Sequence, residues 1–385
     1  VARQLAVSES QFYVLQNRAL TALTNILLEK EAQATREHRL AVEFRLEGLP
    51  QQRLFGVEKV QQQLSRAVTA ADASWLISVE GLGGLGKTSL ADWLARQLID
   101  SPRFFDIIWV GARQESFHPA AGVRQEAGEM EALSMETLVD SVLTQLGQLH
   151  ALNRPAAEKS SLLNRLLKQA PYLIIIDNLE TTADYQALIP KLRRLINPTK
   201  FVLTSRVSLH AYSDIVCVPL TELSRADALA FVRHEAERRQ LTGITQADDS
   251  QLVEIFQVVG GNPLALKLVL GQLNIFSLAQ VLDNLKQAQG QKISQLYTYI
   301  YWQSWYALSD AGRQALLSLP LAGARGSTLN HLRGVTGLSE ADLSQALDEL
   351  KALSLVDVGG SLEERRYSIH RLTETFLLTE VTQWQ

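Results

Sequence analysis

Four residues in one short stretch have the types and spacing that hold a phosphate chain. Gly81, Gly86, Lys87 and Thr88 satisfy the pattern G-x-x-x-x-G-K-[ST] in full, within Gly81-Leu82-Gly83-Gly84-Leu85-Gly86-Lys87-Thr88. Glycines in such a loop let backbone N–H groups curl around phosphate oxygens, and a helix beginning there adds roughly half a positive charge. Lys87 is expected to reach the β- and γ-phosphates and Thr88 to place its hydroxyl on Mg²⁺, with Gly83, Gly84, Leu85 and Ser89 completing the cradle. A Mg²⁺-nucleotide also needs a carboxylate at the end of a neighbouring strand. Leu173-Ile174-Ile175-Ile176-Asp177 supplies Asp177 after four apolar residues. The next residue is Asn178, whose amide can orient water but cannot accept its proton at neutral pH, so hydrolysis is expected to be slow. Glu180 is the nearest substitute base.

These residues need a scaffold that brings strand ends together. Short apolar runs at 75–80, 105–110, 172–177, 200–205 and 214–219 alternate with helical stretches. This alternation predicts a five-stranded parallel sheet with flanking helices, the α/β P-loop NTPase arrangement. Beyond 219 the strand signals stop, and 224–239, 250–259, 263–273 and 278–287 read as helices. Helices around 302–318 and 340–353 then lead into an apolar run at 355–358, a Gly359-Gly360 turn and a second run at 366–369. That order predicts a winged helix. At the other end, Ser8-Glu9-Ser10-Gln11 has the capping-box pattern, and Phe12, Leu15, Ala19, Leu23, Ile26 and Leu27 form one stripe. A helix is expected from near Glu9. The charged segment 29–47 and Gly48-Leu49-Pro50 read as a linker. The expected division is therefore a helical fragment at 1–30, a linker at 31–53, a nucleotide-binding domain at 54–219, a helical domain at 220–296 and a winged-helix domain at 297–385.

Composition removes several function classes. With 385 residues, two or three domains are expected from length alone. Against 41 Asp+Glu there are 37 Lys+Arg, a formal charge of −4, so no global positive field exists to hold nucleic acid or an anionic membrane. No apolar run approaches the length of a membrane span and no signal segment opens the sequence, which predicts a soluble, cytoplasmic protein. The single cysteine, Cys217, cannot form an internal disulfide and has no Cys or His neighbours at metal-ligand spacing, which fits a reducing setting. The aromatic cluster Tyr297, Tyr299, Tyr301, Trp302, Trp305 and Tyr306 has no Lys or Arg interleaved, so it reads as packing and not as a base-stacking platform. Val1 in place of methionine, and helical sequence at both ends, suggest a piece of a longer polypeptide.

The order of these motifs resembles the NB-ARC branch of the STAND ATPases, over roughly residues 54 to 385. Leu54-Phe55-Gly56-Val57-Glu58 resembles the segment that packs near adenine in that family, with Val57 where arginine is usual. Thr204-Ser205-Arg206 resembles its sensor motif, whose arginine approaches the terminal phosphate. Gly261-Asn262-Pro263-Leu264 is similar to its G-x-P motif, which places Pro263 and Leu264 against the nucleotide. Ile369-His370-Arg371 resembles its Met-His-Asp motif, whose histidine contacts the β-phosphate of ADP; here Arg371 replaces the aspartate. The resemblance implies ATP/ADP and Mg²⁺ as cofactors, with Lys87, Asp177 and Arg206 as the residues of slow hydrolysis. It further implies a closed ADP-bound state, opening on ATP exchange, self-association, and effector and sensor regions outside this chain. A second reading is transcription control. Residues 2–13 resemble the turn and recognition helix of a helix-turn-helix, with Gln11, Gln16, Asn17 and Arg18 able to face a DNA groove.

Overall fold

The computed structural model describes residues 9–46, 53–70, 74–111, 134–179, 182–288, 293–321, 326–360 and 364–382. The chain divides into two compact units, Val1–Arg45 and Leu46–Gln385. In the first, α1 (Glu9–Arg45) is one continuous helix of 37 residues. Its first described residue is Glu9, and the Ser8 of the capping pattern lies outside the described residues; the helix runs on through the segment read as a linker. Residues 29–45 are rich in good helix formers, and one-turn pairs such as Gln33 to Glu37 (2.9 Å) and Arg39 to Glu43 (3.0 Å) support the exposed face. Leu15, Leu23, Ile26 and Leu27 of the expected stripe are exposed. The proposed helix-turn-helix turn lies largely in residues 1–8, outside the described residues.

The second unit opens with α2 (Glu58–Thr69), then alternates β1 (Leu76–Glu80), α3 (Lys87–Leu98), β2 (Asp106–Gly111), α4 (Met135–Gln145), α5 (Ala156–Gln169), β3 (Tyr172–Leu179), α6 (Thr182–Leu192), β4 (Lys200–Ser205) and β5 (Ile215–Pro219). The five strands are parallel, in the order β2-β3-β4-β1-β5. Their positions follow the predicted apolar runs within a residue or two. Every residue of β1 and β4 is buried. That burial is why these strands read as continuous runs and not as alternating ones. The strand order corrects one expectation. Asp177 does not end a strand adjacent to β1, because β4 lies between β3 and β1.

After β5 come α7 (Arg225–Arg238), α8 (Thr242–Thr245), α9 (Asp249–Val259), α10 (Pro263–Gln272) and α11 (Leu278–Ala288). Ser224 and Asp248 cap α7 and α9, and Asn262 caps α10 with Pro263 in its first turn. The segment expected as one helix near 302–318 is two, α12 (Ile293–Ala307) and α13 (Asp310–Ser318). Ser309 starts the second by accepting from the Gly312 N–H. There follow β6 (Ser327–Thr328), α14 (Leu329–Thr336), α15 (Glu340–Ala352), β7 (Asp357–Gly360), β8 (Arg365–Ser368) and α16 (Arg371–Phe376). The last three strands form an antiparallel sheet in the order β6-β8-β7, one strand more than the expected hairpin.

The two expected C-terminal domains share one apolar core. A single cluster of buried side chains joins Leu252, Leu266 and Leu270 of the first helices to Ile300, Leu316, Leu347, Leu350 and Phe376 of the later ones. Tyr301 stacks on Phe376 and Trp302 meets it edge-on, so these two members of the aromatic cluster pack as expected, while Tyr306 is 67% exposed. Gly271 on α10 marks a close approach between the two expected domains, since a Cβ there would lie 2.5 Å from the Leu353 carbonyl carbon. Backbone cannot retreat as a flexible side chain can. Gly271→Ala is therefore expected to destabilise the chain by about 1–3 kcal/mol, the usual range for overpacking. A lowered urea midpoint at unchanged slope is the readout.

Candidate functional site

The phosphate loop connects the end of β1 to the start of α3. Gly81, Gly84 and Gly86 have φ of 154°, 79° and 94°. Gly84 and Gly86 lie well inside the left-handed region, where a side chain is strained, so glycine at these two positions is required by backbone conformation. Gly86 caps α3 from that conformation, and Lys87 begins the helix. The Lys87 ammonium donates to the carbonyls of Gly81 (2.7 Å) and Leu82 (2.8 Å). Its charge is thus held over the loop whose N–H groups would face an anion.

Asp177 is 3% exposed and carries the densest hydrogen bonding of the site. Thr88 Oγ1 donates to its two carboxylate oxygens at 3.0 and 3.1 Å, and Thr204 Oγ1 donates to Oδ1 at 2.5 Å. Thr204 belongs to the intervening strand β4 and ties that strand to the carboxylate. The Asn178 backbone N–H donates to Thr204 Oγ1 (2.8 Å), and the Asn178 side-chain amide donates to Asp177 Oδ2 (3.0 Å). Asn178 stands at a register shift of β3 with φ of 68°, a conformation that asparagine tolerates better than most residues. Burial pushes the Asp177 carboxyl above its ordinary range, opposed by the hydrogen bonds from Thr204 and Thr88 and by the charge of Lys87. A hard oxygen pair of hydroxyl and desolvated carboxylate suits Mg²⁺, whose charge would favour the ionised form. Glu180 lies outside the described residues.

Three distant segments close on the loop. Asn262 Nδ2 donates to the Gly83 carbonyl (2.9 Å), while its Oδ1 caps α10 by accepting from the Leu264 N–H (3.0 Å). The Leu264 N–H also points to the Gly84 carbonyl at 3.3 Å. Gly84 has no room for a side chain, because a Cβ would lie 2.8 Å from both Asn262 Oδ1 and Leu264 Cβ. On the other side of the loop, a Cβ on Gly83 would meet the Arg206 guanidinium at 3.5 Å and the Leu372 side chain at 3.3 Å. Arg206 follows β4, and Leu372 lies two residues beyond His370. The structure therefore brings the sensor-like arginine and the C-terminal segment to one glycine.

The adjoining pocket is lined by Leu54, Phe55, Val57, Leu85, Gly86, Ser89, Leu220, Phe231 and Pro263, with Arg53 and Thr221 at polar positions. Gly56 has φ of 62°, and a Cβ there would lie 2.7 Å from the Asp227 carboxyl, so glycine lets this segment press against the start of α7. Phe55 meets Phe231 edge-on at 5.6 Å, and Arg53 lies 5.0 Å from its ring. Sequence reasoning looked for a cation at position 57 and missed Arg53, four residues earlier. It also missed Asn262 as a loop contact and Thr204 as the support of Asp177. The Thr-Ser-Arg run was the available signal for the latter.

His370 caps α16, with Nδ1 accepting from the Leu372 N–H at 3.1 Å. Burial drives the imidazole down to about 4; Asp357 opposes this, while Lys267, Arg206 and Lys87 add to it. Asp357 pairs with Lys267 at 2.6 Å across the seam between α10 and β7. Burial pushes the Asp357 carboxyl up, but Lys267, with His370 and Arg239 nearby, outweighs it and holds the group below its ordinary range.

A sequence model of the NB-ARC domain matches residues 55–241. The chain carries an NB-ARC domain. A disease resistance protein of Arabidopsis thaliana is 26% identical over 276 residues, covering 68% of this chain and 27% of that protein. The disease susceptibility protein LOV1 of the same plant is 24% identical over 234 residues, covering 57% of this chain and 24% of that protein. The chain thus spans about a quarter of the length of these curated relatives. Among solved structures, a Signal Transduction ATPase with Numerous Domains (STAND) protein with a tetratricopeptide repeat sensor, from Pyrococcus horikoshii, matches with a TM-score of 0.53. It is 15% identical, over 87% of this chain and 44% of that one. The fold shared with this STAND protein therefore extends beyond the NB-ARC domain. The NB-ARC domain is a nucleotide-binding P-loop module, and among the described residues no single helix is long and apolar enough to cross a membrane.

The neutral imidazole of His370 predicts an acid response. Its folded pKa lies below the unfolded value near 6.5, so between pH 6.5 and about 4 the unfolded chain binds a proton that the folded chain refuses. The contribution is intact above pH 6.5 and is lost as pH falls through that window, on the order of 1–3 kcal/mol. His370→Asn keeps a capping side chain but cannot titrate. Its stability is expected to fall less steeply than wild type between pH 6.5 and 4 in denaturant titrations, and parallel curves would refute the assignment.

Proposed function

We propose that the chain is an adenine-nucleotide switch that rests closed around ADP, opens on exchange for ATP, and then self-associates. The observation that carries this reading is the convergence on one phosphate loop of Arg206 after β4, Asn262 and Leu264 from α10, and Leu372 beside His370. A nucleotide in the cradle would touch all three segments, so its phosphate number could decide whether they stay together. Phe55, Val57, Leu85 and Pro263 would take the base. Lys87 and the loop N–H groups would take the phosphates, and His370 would contact the β-phosphate. The C-terminal helices and the sheet β6-β8-β7 would act as a winged-helix lid.

Thr88 and Asp177 would hold Mg²⁺, which when bound would neutralise charge between the β- and γ-phosphates. Asp177 would orient the cation, while Thr204 fixes the carboxylate. Slow turnover is supported by Asn178, whose side-chain amide donates to Asp177 and offers no proton acceptor of the strength a base needs. The magnitudes suit a distributed latch. One charge-assisted hydrogen bond contributes about 1.5–3 kcal/mol, whereas inverting a 1:99 equilibrium takes about 5.5 kcal/mol, so neither Arg206 nor His370 suffices alone.

Three measurements test the reading. The nucleotide released from the purified chain on denaturation is expected to be ADP, and Lys87→Ala should come off the column without it. His370→Ala should release ADP about tenfold faster, the equivalent of one hydrogen bond at this site. Unchanged release would remove His370 from the latch, and a turnover of many per second would contradict the switch.

A further inference from the structure

We propose that Glu80, His210 and Cys217 form a divalent-metal site of the zinc type, distinct from the Thr88 and Asp177 pair. Each offers one ligand atom, and these atoms all lie within 4.8 Å of one another. The topology explains how residues so far apart in sequence meet. Glu80 ends β1, Cys217 lies in β5 hydrogen-bonded to β1, and His210 stands in the segment joining β4 to β5. Sequence spacing shows no ligand neighbours for Cys217, because two of the three ligands are brought together only by strand pairing and a loop.

The cluster is already oriented for a cation. Glu80 Oε1 accepts from the Leu209 N–H at 2.7 Å, which fixes the carboxylate and leaves Oε2 facing His210 Nε2 at 3.9 Å. An outer hydrogen bond that aims a ligating carboxylate is a regular feature of metal sites. Donor atoms around a tetrahedral zinc lie about 3.3–3.7 Å apart, so small side-chain rotations close the triangle. Glu80 is 7% exposed at its side chain and His210 is 70% exposed, so the site has a sealed inner wall and an open mouth.

One sulfur, one imidazole nitrogen and one carboxylate oxygen make a borderline-soft set that favours zinc over magnesium or calcium, with a fourth position left open. Burial and the Glu80 carboxylate push the Cys217 thiol up to about 12, so without metal it is protonated at neutral pH. Binding therefore breaks the S–H bond, forms an S–metal bond and releases one proton to solvent. Glu80 immediately precedes the phosphate loop, and His210 follows Arg206 by four residues. The metal would fasten the base of the loop to the segment carrying Arg206, independently of which nucleotide the loop holds.

The test uses the full chain, stripped of nucleotide, titrated with Co²⁺ alone and then with Zn²⁺. One Co²⁺ per chain is expected, with thiolate-to-cobalt absorption in the near ultraviolet that Zn²⁺ abolishes. Cys217→Ser should lose that absorption while keeping its far-ultraviolet circular dichroism. His210→Ala, a change at an exposed side chain, should weaken Co²⁺ binding at least about tenfold, the lower end of what removal of even an outer-shell partner does. His150→Ala, at another exposed histidine, should bind as wild type. Absence of the thiolate absorption in wild type, or undiminished binding by His210→Ala, would overturn the site.

Discussion

A carboxylate sealed near the end of a buried strand must be compensated by partners, because a desolvated charge without them is far costlier than any single contact is favourable. Asp177 is such a group, and the nucleotide site depends on how it is held. Thr88 reaches it from the phosphate loop, Thr204 from the strand between, and Asn178 from its own chain. Each donor fixes the position of the element that carries it. The loop, β3 and β4 are therefore registered to one another by a single acidic side chain, and geometry at the loop is set before any ligand arrives.

From that fixed centre the contacts grow softer outward. The α10 cap touches the loop through one side-chain amide and one backbone N–H, and the C-terminal segment reaches it through Leu372. By contrast, α10 and α15 meet through closely packed apolar residues with Gly271 set against backbone. The helices after β5 and the C-terminal elements consequently form one body over a common core. Their hold on the loop is local, a few hydrogen bonds and the Leu264 and Leu372 side chains, which is the kind of joint that a bound anion can strengthen or weaken.

Much of this was legible in the sequence, for identifiable reasons. The buried parallel strands appear as uninterrupted apolar runs, and the loop glycines appear because Gly84 and Gly86 need conformations that other residues resist. What stayed hidden depends on long-range pairing. Strand order decided that Thr204, on the strand between β1 and β3, would reach Asp177, and no local pattern encodes order. The Lys267–Asp357 pair and the meeting of Glu80 with Cys217 arise from the same cause. The segment after residue 29 was misread for a different reason. Dense charge suggests a solvated linker, yet Glu, Lys, Arg and Gln are also the residues that sustain an exposed helix such as α1.

The charges around His370 carry one more implication, for the life of the molecule and not for its switching. Lys87, Arg206 and Lys267 all act on that imidazole, with Asp357 as the opposing charge. Lys267 is paired with Asp357 and Lys87 lies near Asp177, and a polyphosphate entering the loop would bring further negative charge to these cations. Anything that binds only the folded chain adds to its stability by mass action. Nucleotide held at the loop would then make the chain harder to unfold, by an amount that grows with the logarithm of its concentration over the dissociation constant.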